Sequence, residues 1–279
     1  MFVETAGTRV HYVEHGPAAG APTAVFLHGF PVDHRIMTGP FEPLFARRRP
    51  GWRRIYLDLP GMGATVAPPG VGSTDTVFDV VRAAIDALVP GPYVALGESY
   101  GGYLARGLAA AEPDRVKGLG LLCPMIVAEH AERAVPPYRV LVRDPELVAQ
   151  IGAEVLDADD VGVIQTPATW QRFLDEVVPG LTAADAGATA RIRATWTGTF
   201  PLEPRPYERP TLFLLGRQDA STGYADAWQI LEHYPRATFA VLDRAGHNLQ
   251  IEQPALFEAL VDEWLDRVEE AGTPIGSPA

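Results

Sequence analysis

The chain has 279 residues, 47% of them hydrophobic, with 23 Lys and Arg against 35 Asp and Glu and a formal net charge of −12. That acidity argues against nucleic acid or an anionic membrane as a partner, and no run approaches the roughly 18 apolar residues of a membrane span. The single cysteine, Cys123, excludes an intramolecular disulfide and, with a start that lacks a signal-type pattern, points to a reducing, cytoplasmic setting.

In chain order, "FVET" and "RVHYVEH" flank "AGT" and predict an N-terminal hairpin. "TAVFLHG" and "RRIYLDLPG" read as strands, followed by a helical stretch around 74–89. "GPYVALG" is a strand that runs into the helical "YLARGLAAAE". "VKGLGLLCP" is the next strand. "RPTLFLLG" and "ATFAVLD" come far downstream, before a closing helix, "PALFEALVDEWLDRVEE". Strands apolar at nearly every position are those covered on both faces. Their alternation with helices predicts an α/β domain with a mostly parallel sheet. Residues 124–205 break this rhythm with helical segments. Asp144 and Thr166 are expected N-caps, each followed by a first-turn proline, Pro145 and Pro167. The division expected is a core of 1–123 and 206–270, a helical cap of 124–205 over the strand ends, and a loose tail of 271–279.

The chemistry concentrates at strand ends. "GESYGG" places Ser99 on a sharp strand-to-helix turn, with Gly97 and Gly101 allowing close backbone approach. A hydroxyl there projects from the sheet at a helix N-terminus, a good position for a nucleophile. It needs a base, and the base needs a carboxylate. "GRQDAS" offers Asp219 and "RAGHNLQ" offers His247. The oxyanion of a tetrahedral intermediate needs N–H donors. Tyr100, opening the helix, supplies one. In "HGFP", Pro31 has no N–H, so the second donor is Phe30 or Gly29, with Phe30 preferred. His28 is read as support for this loop rather than as a rival base. Asp58 and Asp243 are the rivals to Asp219. Glu98 is read as a structural or neighbouring residue able to tune the site. Tyr138, Trp170, Phe173 and Trp196 are expected in the substrate pocket, although each also suits the cap core, as does Phe200.

"HGFP", "GESYGG", "GRQD" and "AGHN", in this order, resemble the α/β-hydrolase family. The resemblance spans about residues 1–268. It implies an eight-stranded, mostly parallel sheet flanked by helices, with a helical cap where the insertion stands. It also implies Ser99 as nucleophile, His247 as base, Asp219 as acid, and Phe30 and Tyr100 as oxyanion donors. The epoxide-hydrolase and haloalkane-dehalogenase branches use an aspartate where Ser99 stands and are thereby disfavoured. The expected activity is hydrolysis of carboxylic esters of small or medium substrates through an acyl-enzyme. No cofactor and no metal are expected, and the expected partner is a small molecule with an acyl group. Alternatives are a proline-iminopeptidase-like aminopeptidase, with Asp157, Asp159, Asp160 or Glu176 receiving the amine, a carbon–carbon bond hydrolase, a perhydrolase side activity, and a non-catalytic ligand receptor.

Overall fold

In the computed structural model, residues 1–5, 7–17, 20–157 and 162–272 are described. The N-terminal runs pair antiparallel as β1 (Phe2–Thr5) and β2 (Thr8–His15). The apolar runs form β3 (Thr23–Leu27), β4 (Arg53–Leu57), β5 (Tyr93–Glu98) and β6 (Val116–Leu122). Within the insertion, β7 (Val142–Arg143) and β8 (Ile164–Gln165) pair with each other. The chain then returns to the main sheet as β9 (Thr211–Gly216) and β10 (Ala237–Leu242). The eight-stranded order is β1-β2-β4-β3-β5-β6-β9-β10. From β4 to β10 every pairing is parallel, in registers such as Val25 with Ala95 and Leu119 with Thr211.

Strand alternation divides the apolar residues between two cores. Val25, Leu27, Ala95, Leu119 and Phe213 face α2 (Thr74–Leu88) and α3 (Tyr100–Ala111). Ala24, Phe26, Leu96, Leu122 and Leu214 face α1 (Arg35–Arg48) and, at the other end of the chain, the closing helix that begins at Pro254. Every residue of β3, β5 and β9 is buried, which explains their unbroken hydrophobicity. Phe26 stacks on Tyr56 at 4.2 Å and meets Phe41 at 4.8 Å, filling the second core with rings.

Residues 124–205 leave the sheet after β6 and, among the described residues, carry five short α-helices. These are α4 (Pro145–Ile151), α5 (Ala153–Leu156), α6 (Pro167–Glu176), α7 (Val178–Ala183) and α8 (Ala186–Ala194). Asp144 caps α4 through the Glu146 and Leu147 N–H groups, and Thr166 caps α6 in a reciprocal box with Thr169. Pro145 and Pro167 occupy first-turn positions, where a missing N–H costs nothing. The remaining helices are α9 (Ala225–Gln229), α10 (Leu249–Glu252) and α11 (Pro254–Gly272).

Some details differ from the sequence reading, α9 and α10 among them. Helix α1 is absent from it, because Pro40 and Pro43 interrupt the helical pattern. The β7–β8 pair is too short to leave a periodic signal. The closing helix continues to Gly272, into the segment read as tail, and residues 273–279 lie outside the described residues. Among the described residues, no helix is long and apolar enough to cross a membrane.

Candidate active site

The turn after β5 explains its two glycines. A Cβ on Gly97 would lie 2.2 Å from the Gly101 carbonyl oxygen, and one on Gly101 would lie 2.1 Å from the Leu27 carbonyl oxygen. The chain crosses the neighbouring strand too closely for any side chain there. Ser99 itself sits at φ 52°, ψ −115°, a conformation that costs a non-glycine residue about 1–3 kcal/mol. Its N–H donates to the Leu122 carbonyl, and its own carbonyl accepts from Tyr103 and Met125. These bonds hold the backbone in place while the side chain stays half-buried.

Asp219 and His247 come together from the ends of β9 and β10. Asp219 is fully buried, and its Oδ2 lies 2.9 Å from His247 Nδ1. Oδ1 accepts from the Ser221 and Thr222 N–H groups, at 2.8 and 3.0 Å, and Oδ2 takes the Thr222 hydroxyl at 2.7 Å. Burial alone would raise the Asp219 pKa. The His247 charge and hydrogen bond, with Thr222 behind them, outweigh it and bring the carboxyl down to about 2. The imidazole is therefore anchored at Nδ1 to an ionised carboxylate. His247 Nε2 lies 3.3 Å from Glu98 Oε1, on the residue immediately before Ser99.

The rings of the two residues expected to supply oxyanion donors pack against each other. Tyr100 opens α3, so its N–H has no acceptor within the helix. Phe30 packs edge-on against Tyr100 at 5.7 Å and against Trp196 at 4.7 Å. His28 is spent on structure. Its Nδ1 donates to the Gly29 carbonyl at 2.7 Å, while Nε2 accepts from Leu59 N–H at 2.9 Å. Burial lowers its pKa, which suits this neutral tautomer.

Neither rival to Asp219 reaches His247. Asp58 bonds to His11 Nδ1 and His34 Nδ1, each at 2.8 Å, and to the Ala64 N–H. Burial opposes ionisation of Asp58, but the His34 hydrogen bond, with the Ala64 N–H beside it, prevails and holds its pKa well below the usual range. Asp243 is exposed and faces Gln218. Among the described residues, two groups of ligating atoms lie close enough to share an ion, His11 with His34 and Asp58, and Cys123 with Asp219 and His247. In each group the carboxylate is already engaged by imidazole.

A cavity of about 440 Å³ opens beside this site, lined from the core by Phe30, Glu98 and His247 and from the insertion by Tyr138, Val177 and Leu181. Of the four residues expected in the pocket, only Tyr138 lines it. Trp170 and Phe173 stack on each other in the second core, and Trp196 stacks on Tyr100 at 4.7 Å. Phe200 stacks on Phe78 at 4.0 Å. Large aromatics were preferentially used to seat the insertion on the core.

The acids considered for binding an amine are engaged elsewhere. Glu176 is held by Arg172 at 2.6 and 2.9 Å, and Asp157 pairs with Arg143. Asp159 and Asp160 lie outside the described residues. Two supporting residues escaped the sequence reading. Thr222 follows Asp219 by three residues, in the local hydrogen-bonding pattern typical of a short polar turn. Glu252 is buried and accepts the N–H groups of Gly246 and of Val163 in the insertion. Burial raises the Glu252 pKa and those backbone donors pull against it.

This parallel α/β scaffold, with serine, histidine and carboxylate at its strand ends, defines a hydrolase class of protein. A family match over residues 24–260 then places it: the chain belongs to the alpha/beta hydrolase family. A "Pimeloyl-[acyl-carrier protein] methyl ester esterase" from Nitrosomonas europaea is 27% identical, with 86% of this chain and 94% of the relative aligned. A "2-hydroxy-6-oxononadienedioate/2-hydroxy-6-oxononatrienedioate hydrolase" from Cupriavidus pinatubonensis is 25% identical over 92% of this chain and 90% of its own. Among solved structures, an alpha/beta superfamily hydrolase from Oenococcus oeni PSU-1 superposes with a TM-score of 0.86 at 28% identity, covering 96% of this chain and 99% of that one.

Proposed function

We propose that this hydrolase cleaves carboxylic esters of small or medium acyl substrates through an acyl-enzyme on Ser99. The observation that carries the reading is the contact from buried Asp219 to His247 Nδ1, with Nε2 3.3 Å from Glu98 Oε1 on the residue immediately before Ser99. His247 Nε2 takes the Ser99 hydroxyl proton as the oxygen attacks the acyl carbon. The oxyanion forms against the Phe30 and Tyr100 N–H groups, each contributing typically about 3–4 kcal/mol of barrier lowering. Collapse breaks the ester C–O bond, and the alcohol leaves with the proton from His247. Water, deprotonated by the same imidazole, then attacks the acyl-enzyme and releases the acid. Asp219 keeps Nδ1 protonated and stabilises the imidazolium throughout.

The 124–205 insertion acts as the cap, since Tyr138, Val177 and Leu181 close one wall of the cavity. The methyl ester esterase relative supports ester chemistry. Amine binding by cap carboxylates is disfavoured, because Glu176 and Asp157 are already paired with arginines. A cytoplasmic setting fits the buried, unpaired thiol of Cys123.

The test is p-nitrophenyl butyrate turnover by Ser99→Ala. The variant should fold like the parent by circular dichroism and lose at least about a thousandfold in kcat/KM. Retained turnover would refute the assignment.

A further inference from the structure

The cavity has two walls of unlike chemistry, and the sheet order sets them on opposite sides of the catalytic turn. The first wall follows β3. Val32 and Ile36, both buried, line the cavity there, together with Val177 and Leu181 from the insertion. All four belong to or pack on the same apolar core. Helix α7 is seated directly on this loop: a Cβ on Gly180 would lie 2.5 Å from the Asp33 backbone nitrogen and 2.9 Å from Val32 Cα. The second wall follows β9. Gln218 and Ser221 line the cavity there, with His130 from the insertion. Here too the insertion is fastened to a core loop, since Arg133 donates to the Ser221 carbonyl at 2.9 Å and the Ala134 N–H donates to Asp226 at 2.9 Å. In the order β3-β5-β6-β9, the β5–α3 turn that carries Ser99 lies between the two walls.

The chemistry decides which half of an ester faces which wall. His247 follows β10, the strand beyond β9, and is held by Asp219 at the end of β9. The departing alcohol takes its proton from His247, so it lies on the β9 side. With the carbonyl oxygen directed at the Phe30 and Tyr100 N–H groups, the β3 side is left to the acyl chain. There an apolar chain gains by leaving water, whereas a hydroxyl or carboxylate would lose its water without a partner. On the β9 side, imidazole, amide and hydroxyl side chains suit the hydrogen bonds of a polar alcohol. We propose that the cavity is polarised, and that the enzyme's substrates are esters of an apolar acyl chain with a short hydroxylated alcohol. This rests on the assignment of Ser99 as nucleophile and His247 as base.

The experiment compares two isomers, 2-hydroxyethyl hexanoate and hexyl glycolate, which place the apolar arm and the hydroxylated arm on opposite sides of the ester. Each kcat/KM is divided by that ester's alkaline hydrolysis rate, to remove intrinsic reactivity. In the parent enzyme, 2-hydroxyethyl hexanoate should then exceed hexyl glycolate by about tenfold or more, the effect of burying about two methylenes. Leu181→Asn puts an amide in the apolar wall, and Gln218→Leu puts an alkyl group in the polar one. Each should narrow that ratio at least about threefold. Equal or reversed preference in the parent, or a ratio unchanged in both variants once circular dichroism shows them folded, would overturn the proposal while leaving Ser99 intact. The parent comparison decides alone if neither variant folds. If neither isomer is hydrolysed, p-nitrophenyl butyrate separates the cases: its turnover overturns the polarised cavity alone, and its survival removes the Ser99 reading as well.

Discussion

At residue scale, the site pairs two buried carboxyls pushed in opposite directions. Asp219 is brought down to about 2 by His247 and Thr222, whereas Glu98 is raised to about 7 because burial, with the Asp219 charge beside it, outweighs the pull of His247 and of the Gly29 N–H. The Glu98 shift has a signed consequence for stability. An unfolded chain releases this proton near 4.5, but the folded one holds it to about 7. Between those values the native state binds more protons, so the unfolding free energy falls as pH rises. The contribution is full below about pH 4.5 and is lost through pH 7, on the order of 3 kcal/mol. Urea denaturation of the parent and Glu98→Gln at pH 5 and pH 8 checks this. The parent should lose more stability than the variant on going to pH 8, and parallel losses would contradict it. The strand-end positions of Ser99, Asp219 and His247 were legible in sequence because each sits beside glycine or a short polar turn. Glu98, Thr222 and Glu252 were less legible in their roles, since burial and hydrogen bonding across distant segments leave no local spacing to read.

At the scale of elements, the Glu252 side chain ties the insertion to the histidine loop. Glu252, in α10, binds the N–H of Gly246 beside His247 and the N–H of Val163 just before β8. A single carboxylate thus holds both the loop that carries His247 and one cavity wall. Glu252→Ala leaves those donors unsatisfied, and each buried one costs about 1–3 kcal/mol. We expect a clear fall in melting temperature and a kcat/KM at least about tenfold lower. Parent-like values for both would show that the staple is idle. The caps of α4 and α6 were readable, because Asp-Pro and Thr-Pro are local signals that hold wherever the helices dock. Helix α1 was not, because tertiary packing of Phe41 and Phe45 under Phe26 sustains a helix that Pro40 and Pro43 disfavour. The pocket aromatics failed for a related reason. Composition places Trp170, Phe173 and Trp196 in the insertion, but only the fold decides whether a ring faces the cavity or seats the helix.

At the scale of the whole molecule, parallel pairing from β4 to β10 turns sequence distance into proximity. All those strands end at one edge, so residues 30, 99, 219 and 247 gather there although they span most of the chain. The most direct measurement of that convergence is labelling by a fluorophosphonate, followed by peptide mass spectrometry and a comparison with His247→Ala. The account predicts a single adduct on Ser99, formed at least about a hundredfold more slowly in His247→Ala. An adduct elsewhere, or unchanged labelling of Ser99 without the imidazole, would contradict it.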